Sequence, residues 1–135
     1  MIALYREMLR LRSRRKKRLL VVDDDEDCRD ILTQFLRAQY DVVTARDGIE
    51  GLEKASSFRP DLIITDIAMP RLGGIAMVHH LRASAGLWVP VFFLSGLTAP
   101  DDVVKGSSAG ARYYLTKPVQ LSDLGQRLSR ALGHR

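Results

Sequence analysis

Four short apolar runs each end on a residue able to take part in phosphate chemistry. Leu19-Leu20-Val21-Val22 leads into Asp23-Asp24, Leu62-Ile63-Ile64-Thr65 into Asp66, Val91-Phe92-Phe93-Leu94 into Ser95, and Tyr113-Tyr114-Leu115-Thr116 into Lys117-Pro118. As parallel strands of one sheet, the four endings would meet at one edge, and open α/β sheets bind ligands beyond the carboxyl ends of their strands. Three carboxylates, a hydroxyl and an ammonium group would then share a site. Two carboxylates about 4 Å apart repel by roughly 4 kcal/mol at an effective dielectric of 20, a conflict that a hard divalent cation removes. Mg²⁺ suits the place, since it takes one or two carboxylates, keeps several waters and uses phosphate oxygens for the remainder. Mn²⁺ is the substitute ion. A calcium-binding EF-hand loop does not fit, because the sixth position counted from Asp23 is Cys28 instead of Gly and the twelfth is Gln34 instead of Glu.

Asp66, beside such an ion, is the natural nucleophile toward a phosphoryl group and would form an aspartyl phosphate. Lys117 brings positive charge to one phosphoryl oxygen, and Ser95 brings a hydroxyl to another. Each residue alone has an ordinary explanation. The acidic stretch 23–27 can cap a helix, Asp66 can be a turn residue before Met69-Pro70, Ser95 a loop hydroxyl and Lys117 a surface lysine. Four such endings at one sheet edge argue for a common site. Cys28 reads as a small, partly buried filler, adjacent His79 and His80 as surface residues of a helix, Tyr114 as either packing or function, and Trp88 as a loop anchor.

The elements that must position these groups alternate as five βα units from Leu19 onward. A first helix is expected over 27–38, with Ile31, Leu32, Phe35 and Leu36 on one face and acidic residues in its first turn, where the helix dipole favours them. A strand over 41–45 turns through Asp47-Gly48 into a helix with Ile49, Leu52 and Ala55, which Arg59-Pro60 ends because the residue before proline leaves the α region. The strand over 61–65 leads through Met69-Pro70 and Gly73-Gly74 into a helix with Ile75, Val78 and Leu81, and Pro90 opens the next strand. The stretch 99–108 is the weakest helix candidate, given Pro100, Gly106 and Gly110. Leu121, Leu124, Leu128 and Leu132 make one apolar stripe of a last helix. The strand runs are apolar at consecutive positions, the pattern of strands buried on both faces. With right-handed crossovers this predicts a doubly wound five-stranded parallel sheet with helices on both faces. The flavodoxin-like order 2-1-3-4-5 is carried over from folds of that class and is not read from the spacing.

The chain has 135 residues, 46% of them hydrophobic, which suits one domain with one core. Its net charge of +5 sits unevenly: residues 1–18 hold eight Lys or Arg against Glu7, and the remainder, with thirteen basic and fifteen acidic residues, is mildly acidic. The basicity belongs to a leader. Residues 1–17 are read as a basic extension and 18–135 as the globular domain. Ile2, Leu4, Tyr5, Met8, Leu9 and Leu11 lie among the leader's arginines in a pattern compatible with a short amphipathic helix. A solvated extension, or sequence added by an upstream start codon, is the plainer explanation; contact with a membrane surface, nucleic acid or a partner helix is the other. The stretch 1–11 is too short and too charged to span a bilayer. A single cysteine can form no internal disulfide, so the cytoplasm is the default location.

Over about residues 18–133 the chain resembles the receiver domain of two-component response regulators. The matching motifs are Val21-Val22-Asp23-Asp24-Asp25, Asp66-Ile67-Ala68-Met69-Pro70 with Gly74, Leu94-Ser95-Gly96, and Ala109-Gly110-Ala111 through Tyr114 to Lys117-Pro118. Each is weak alone; in order, each after its own strand, they are specific. The resemblance implies Asp66 as phosphoacceptor, Asp23 and Asp24 as the acidic metal pair, and the Ala68 carbonyl as a backbone metal ligand. It implies Ser95 and Tyr114 as a switch pair whose hydroxyl moves toward the phosphoryl group while the ring turns inward. It also implies a cis Lys117–Pro118 bond that aims the lysine at the site. Gly73 stands where many members have Asp, a tolerated loop change. Ala68 and Leu97 occupy positions that tune phosphate lifetime in the family, and as apolar residues they imply slow self-dephosphorylation.

By this resemblance the donor is a phosphohistidine on a sensor histidine kinase or a histidine phosphotransfer protein. Phosphorylation adds about −1.5 to −2 charges and biases a two-state element. The surface expected to change comprises 99–108, the last strand and the last helix, which would bind a downstream protein or a second copy of the chain. The sequence ends three residues after Leu132, so a stand-alone switch, or a relay of phosphate, is expected. It would catalyse only its own phosphorylation and dephosphorylation. Phosphohydrolases of the haloacid dehalogenase type also use an aspartyl nucleophile with Mg²⁺, yet they carry a second Asp where this chain has Ala68. The remaining alternative is a receiver-gated adaptor that binds nucleic acid or membrane through the basic extension.

Overall fold

Leu19, Leu20, Val21 and Val22 are all fully buried, which a strand achieves only when both its faces are covered. The computed structural model describes residues 1–96 and 113–133, the side chains of 11–14 excepted. The strands are β1 (Lys17–Val22), β2 (Tyr40–Ala45), β3 (Leu62–Asp66), β4 (Val91–Ser95) and β5 (Tyr113–Thr116). All neighbouring pairs are parallel, in the order β2-β1-β3-β4-β5. The expected doubly wound sheet is therefore the observed one. Among the described residues the helices are α1 (Ile2–Arg14), α2 (Glu26–Leu36), α3 (Gly48–Phe58), α4 (Gly74–Ser84) and α5 (Leu121–Leu132). The helix expected over 99–108 and the Ala109-Gly110-Ala111 motif lie outside the described residues, as does Leu97.

Alternate side chains of each strand divide between two cores. Leu19 and Val21 join Ile64, Phe92 and Leu94 beneath Leu32 and Leu36 of α2 and Leu124 and Leu128 of α5. Leu20 and Val22 join Ile63 and Phe93 beneath Ala55 of α3 and Met77, Val78 and Leu81 of α4. This two-sided burial is why the strand runs are continuously apolar.

Helix starts follow local chemistry. Asp25 caps α2, its side chain accepting the Asp27 N–H at 3.0 Å, and Asp47 caps α3 by accepting the Glu50 N–H at 2.9 Å. Arg59 closes α3 in the left-handed region at φ 51°, directly before Pro60.

Two side-chain expectations differ from the structure. Leu32 and Leu36 enter the core, but Ile31 and Phe35 of the same apolar face stay exposed, because the stripe is wider than the arc α2 presents to the sheet. Trp88 is not a buried anchor among the described residues. It is 74% exposed, with the Arg82 guanidinium 5.0 Å from its ring centre. Adjacent His79 and His80 are exposed and Cys28 is half-buried, as expected.

Candidate functional site

Parallel register brings the four strand endings together. Val22 lies beside Thr65, Asp66 beside Leu94, and Ser95 beside Thr116, so Asp23, Asp66, Ser95 and Lys117 emerge at one edge of the sheet. One carboxylate oxygen from each of Asp23, Asp24 and Asp66 lies within 4.8 Å of the others. Asp23 is fully buried, Asp66 nearly so, and Asp24 is exposed. Lys117 reaches into the group: its Nζ lies 2.8 Å from Asp23 Oδ2 and donates to Asp66 Oδ2 at 3.1 Å.

Backbone and side-chain contacts hold these groups in place. Asp23 Oδ1 accepts the Asp25 N–H at 3.0 Å, and Arg29 donates to the Asp23 carbonyl at 2.6 Å. The Lys117 N–H donates to the Ser95 carbonyl at 3.0 Å, and the Lys117–Pro118 bond is cis. Gly74 lets the loop after β3 turn back tightly: its N–H donates to the Ile67 carbonyl at 2.9 Å, and a Cβ at this position would run into the Asp66 carbonyl. Ala68 lies in that loop, exposed, two residues beyond Asp66.

The electrostatics follow from this crowding. Burial alone would raise the Asp23 carboxyl, but the Lys117 ammonium, the Asp25 N–H and the Cys28 thiol outweigh it and hold the group below its ordinary value. Asp66 goes the other way. Burial, reinforced by the Asp23 charge, keeps its carboxyl above the usual value despite Lys117. Burial would lower the Lys117 ammonium, yet the two carboxylates hold it above its ordinary value. Cys28 is pushed up to about 12 by burial and by Asp23, so its thiol is not a nucleophile at neutral pH.

The donor set fits a hard cation. Asp23 Oδ2 is buried and, although close to Lys117 Nζ, has no aligned hydrogen-bond donor among the described residues, which leaves a lone pair for a metal. Three carboxylates with one ammonium carry excess negative charge, and oxygen donors suit Mg²⁺ or Mn²⁺.

Ser95 ends β4 with 8% exposure. Tyr114 stacks on Phe93 at 5.8 Å, and its hydroxyl is buried with no hydrogen-bond partner among the described residues. One feature the sequence reading missed is the clamp on the loop after β3. Arg71, at φ 67°, donates through Nε to Asp47 Oδ2 at 2.8 Å, and the Gly48 N–H donates to the Leu72 carbonyl at 3.1 Å. The turn signal at Asp47-Gly48 was visible; its partner 24 residues away was not.

The acidic cluster, the hydroxyl and the lysine thus meet at the carboxyl edge of a doubly wound parallel sheet, the edge where such folds bind ligands. A family model of the response regulator receiver domain matches residues 19–129. The chain belongs to this family, the receiver domains of two-component systems, which are signalling switches and not classical enzymes. It is similar to the transcriptional regulatory protein PrrA of Mycobacterium tuberculosis, with 45% identity over 87% of this chain and 51% of that protein. It is 39% identical to the alkaline phosphatase synthesis transcriptional regulatory protein PhoP of Bacillus subtilis, over 86% of this chain and 48% of that protein. The chain thus spans about half the length of these curated relatives. Among solved structures, the chemotaxis protein CheY4 of Vibrio cholerae aligns with a TM-score of 0.81 and 34% identity, covering 87% of this chain and 99% of that one. No helix among the described residues is long and apolar enough to cross a membrane.

Proposed function

We propose that this receiver accepts a phosphoryl group on Asp66 and that the resulting charge changes its partner-binding face. The observation that carries the reading is the convergence of Lys117 with Asp23, Asp24 and Asp66 at one sheet edge. In this reading residues 18–135 form the receiver, 1–17 are a separate basic extension, and the domain works in the cytoplasm. The donor is a phosphohistidine of a sensor kinase or phosphotransfer protein.

An Asp66 carboxylate oxygen attacks phosphorus, the phosphorus–nitrogen bond of the donor breaks, and the imidazole, protonated on its other ring nitrogen, leaves neutral. Mg²⁺, held by Asp23, Asp24, Asp66 and the Ala68 carbonyl, would shield the attacking and phosphoryl oxygens from each other. Lys117 exchanges its contact with Asp66 for a phosphoryl oxygen. Ser95 then moves its hydroxyl toward another oxygen, and the Tyr114 ring, already buried at its tip against Phe93, fills the space behind it. Among the described residues, β5 and α5 belong to the expected output face, toward a downstream protein or a second copy. A groove lined by Cys28, Ile31, Lys117, Pro118 and Leu121 opens beside the site, and exposed Ile31 gives a donor protein an apolar surface there.

Incubation with acetyl phosphate, with and without Mg²⁺, followed by intact mass tests the proposal. One phosphoryl group is expected on the parent with Mg²⁺ and none on Asp66→Asn; equal labelling of the two proteins would overturn it.

A further inference from the structure

Up to residue 10, helix α1 is left uncovered by the described residues of the domain. Met1, Ile2, Leu4, Tyr5, Met8 and Leu9 range from 45% to 105% exposed, and at 100° per residue they occupy about half of the helix circumference, with Arg6 and Arg10 on the other half. The phosphorylation chemistry uses none of them. Within residues 1–18, eight Lys or Arg oppose Glu7 alone.

These two properties select the occupant. A nucleic acid would engage the cations and leave six apolar side chains in water. A second copy would cover the apolar arc but bring two strongly basic segments together. An anionic bilayer satisfies both, because an amphipathic helix lies in the interface with its apolar face among acyl chains and its cations beside lipid phosphates. We propose that α1 docks this receiver on an anionic lipid surface.

The topology also sets how docking relates to signalling. Two residues separate the end of helix α1 from β1, which begins at Lys17, whereas Asp23 follows the far end of that strand. Six residues at about 3.3 Å each put roughly 20 Å between the leader and the acidic edge. The junction is tied to the fold: Lys16 Nζ donates to the Arg37 carbonyl at 3.2 Å, the Arg18 N–H to Asp61 at 2.8 Å, and the Arg18 guanidinium to the Phe58 carbonyl at 2.9 Å. Docking through α1 therefore holds the domain by the end of β1 remote from the acceptor edge. It is independent of phosphorylation, unlike a gated adaptor, and stands or falls apart from the chemistry at Asp66.

The test is co-sedimentation of the full chain with vesicles of phosphatidylcholine plus phosphatidylglycerol and with vesicles of phosphatidylcholine alone. Binding to the anionic vesicles is expected, weakened roughly tenfold or more by Leu4→Asp with Met8→Asp, and unchanged in Asp66→Asn. Because the substitutions lie on an exposed helix, circular dichroism and thermal melting of the domain should match the parent. Absence of vesicle binding, or equal binding by the double variant, would overturn the proposal. Binding to duplex DNA that the double variant retains, without vesicle binding, would assign the leader to nucleic acid; a dimer that the variant loses, again without vesicle binding, would assign it to a second copy. Either result overturns the lipid assignment.

Discussion

Lys117 Nζ lies 3.1 Å from Asp66 Oδ2, across 51 residues of chain, and 2.8 Å from the buried Asp23 Oδ2. One ammonium thus sits between two carboxylates whose burial would otherwise drive both toward the protonated form. Replacing it with an apolar side chain of similar length leaves that pair uncompensated. Lys117→Met should destabilise the metal-free protein by about 1–3 kcal/mol at neutral pH, with part of the loss restored by Mg²⁺. Urea denaturation with and without Mg²⁺ measures both effects; equal stability of parent and variant would contradict the account.

The clamp between Arg71 and Asp47 gives a pH signature. The Asp47 carboxyl is held below its ordinary value by the Glu50 N–H and Arg71. The folded state therefore binds this proton less readily than the unfolded chain. The stabilisation is complete above the unfolded value of about 3.9, and it is lost as pH falls through the lower folded value. Asp47→Asn keeps a capping side chain but not the charge, so its stability should fall less steeply over that acid range. Stability curves of the two proteins from neutral to acid pH provide the check.

Ala68 is exposed two residues beyond Asp66 and has no side chain that could orient an attacking water. The phosphoryl group should be long-lived, and Ala68→Asn should shorten its lifetime severalfold. The decay of phosphorylated protein after removal of acetyl phosphate measures it. A lifetime already short in the parent and unchanged in the variant would count against this.

The Tyr114 hydroxyl is buried without a partner among the described residues. Removing an unsatisfied buried polar group is neutral or favourable, so Tyr114→Phe should match or exceed the parent by up to about 1 kcal/mol. Its phosphorylation should be intact, since the ring stacked on Phe93 is kept. Thermal melting and acetyl phosphate labelling test the two halves of this prediction.

The parts of the molecule that were legible in the sequence share a physical cause. Val21 and Val22 announce a doubly covered strand because burial on both faces removes the polar alternation. Asp23, Asp66, Ser95 and Lys117 were found together because each ends such a strand, and parallel topology turns equal strand endings into one site. Asp25 as helix cap and Asp23 as a member of the acidic cluster were competing explanations for one acidic stretch, and the structure divides the residues between them. What escaped depended on distance or on degree. Arg71 meets Asp47 through a loop whose left-handed residue no turn signal marked. Ile31 and Phe35 have the spacing of core residues, and only the width of the covered arc decides that they remain outside.

The central claim is chemical, that phosphorus is accepted on one carboxyl oxygen of Asp66. Borohydride reduces an acyl phosphate of aspartate to homoserine and leaves a free carboxylate untouched, so reduction after Mg²⁺-dependent labelling, followed by peptide mass mapping, locates the acceptor. The account predicts homoserine at position 66 alone. Conversion at Asp23 or Asp24, or labelled protein with residue 66 unchanged, would contradict it.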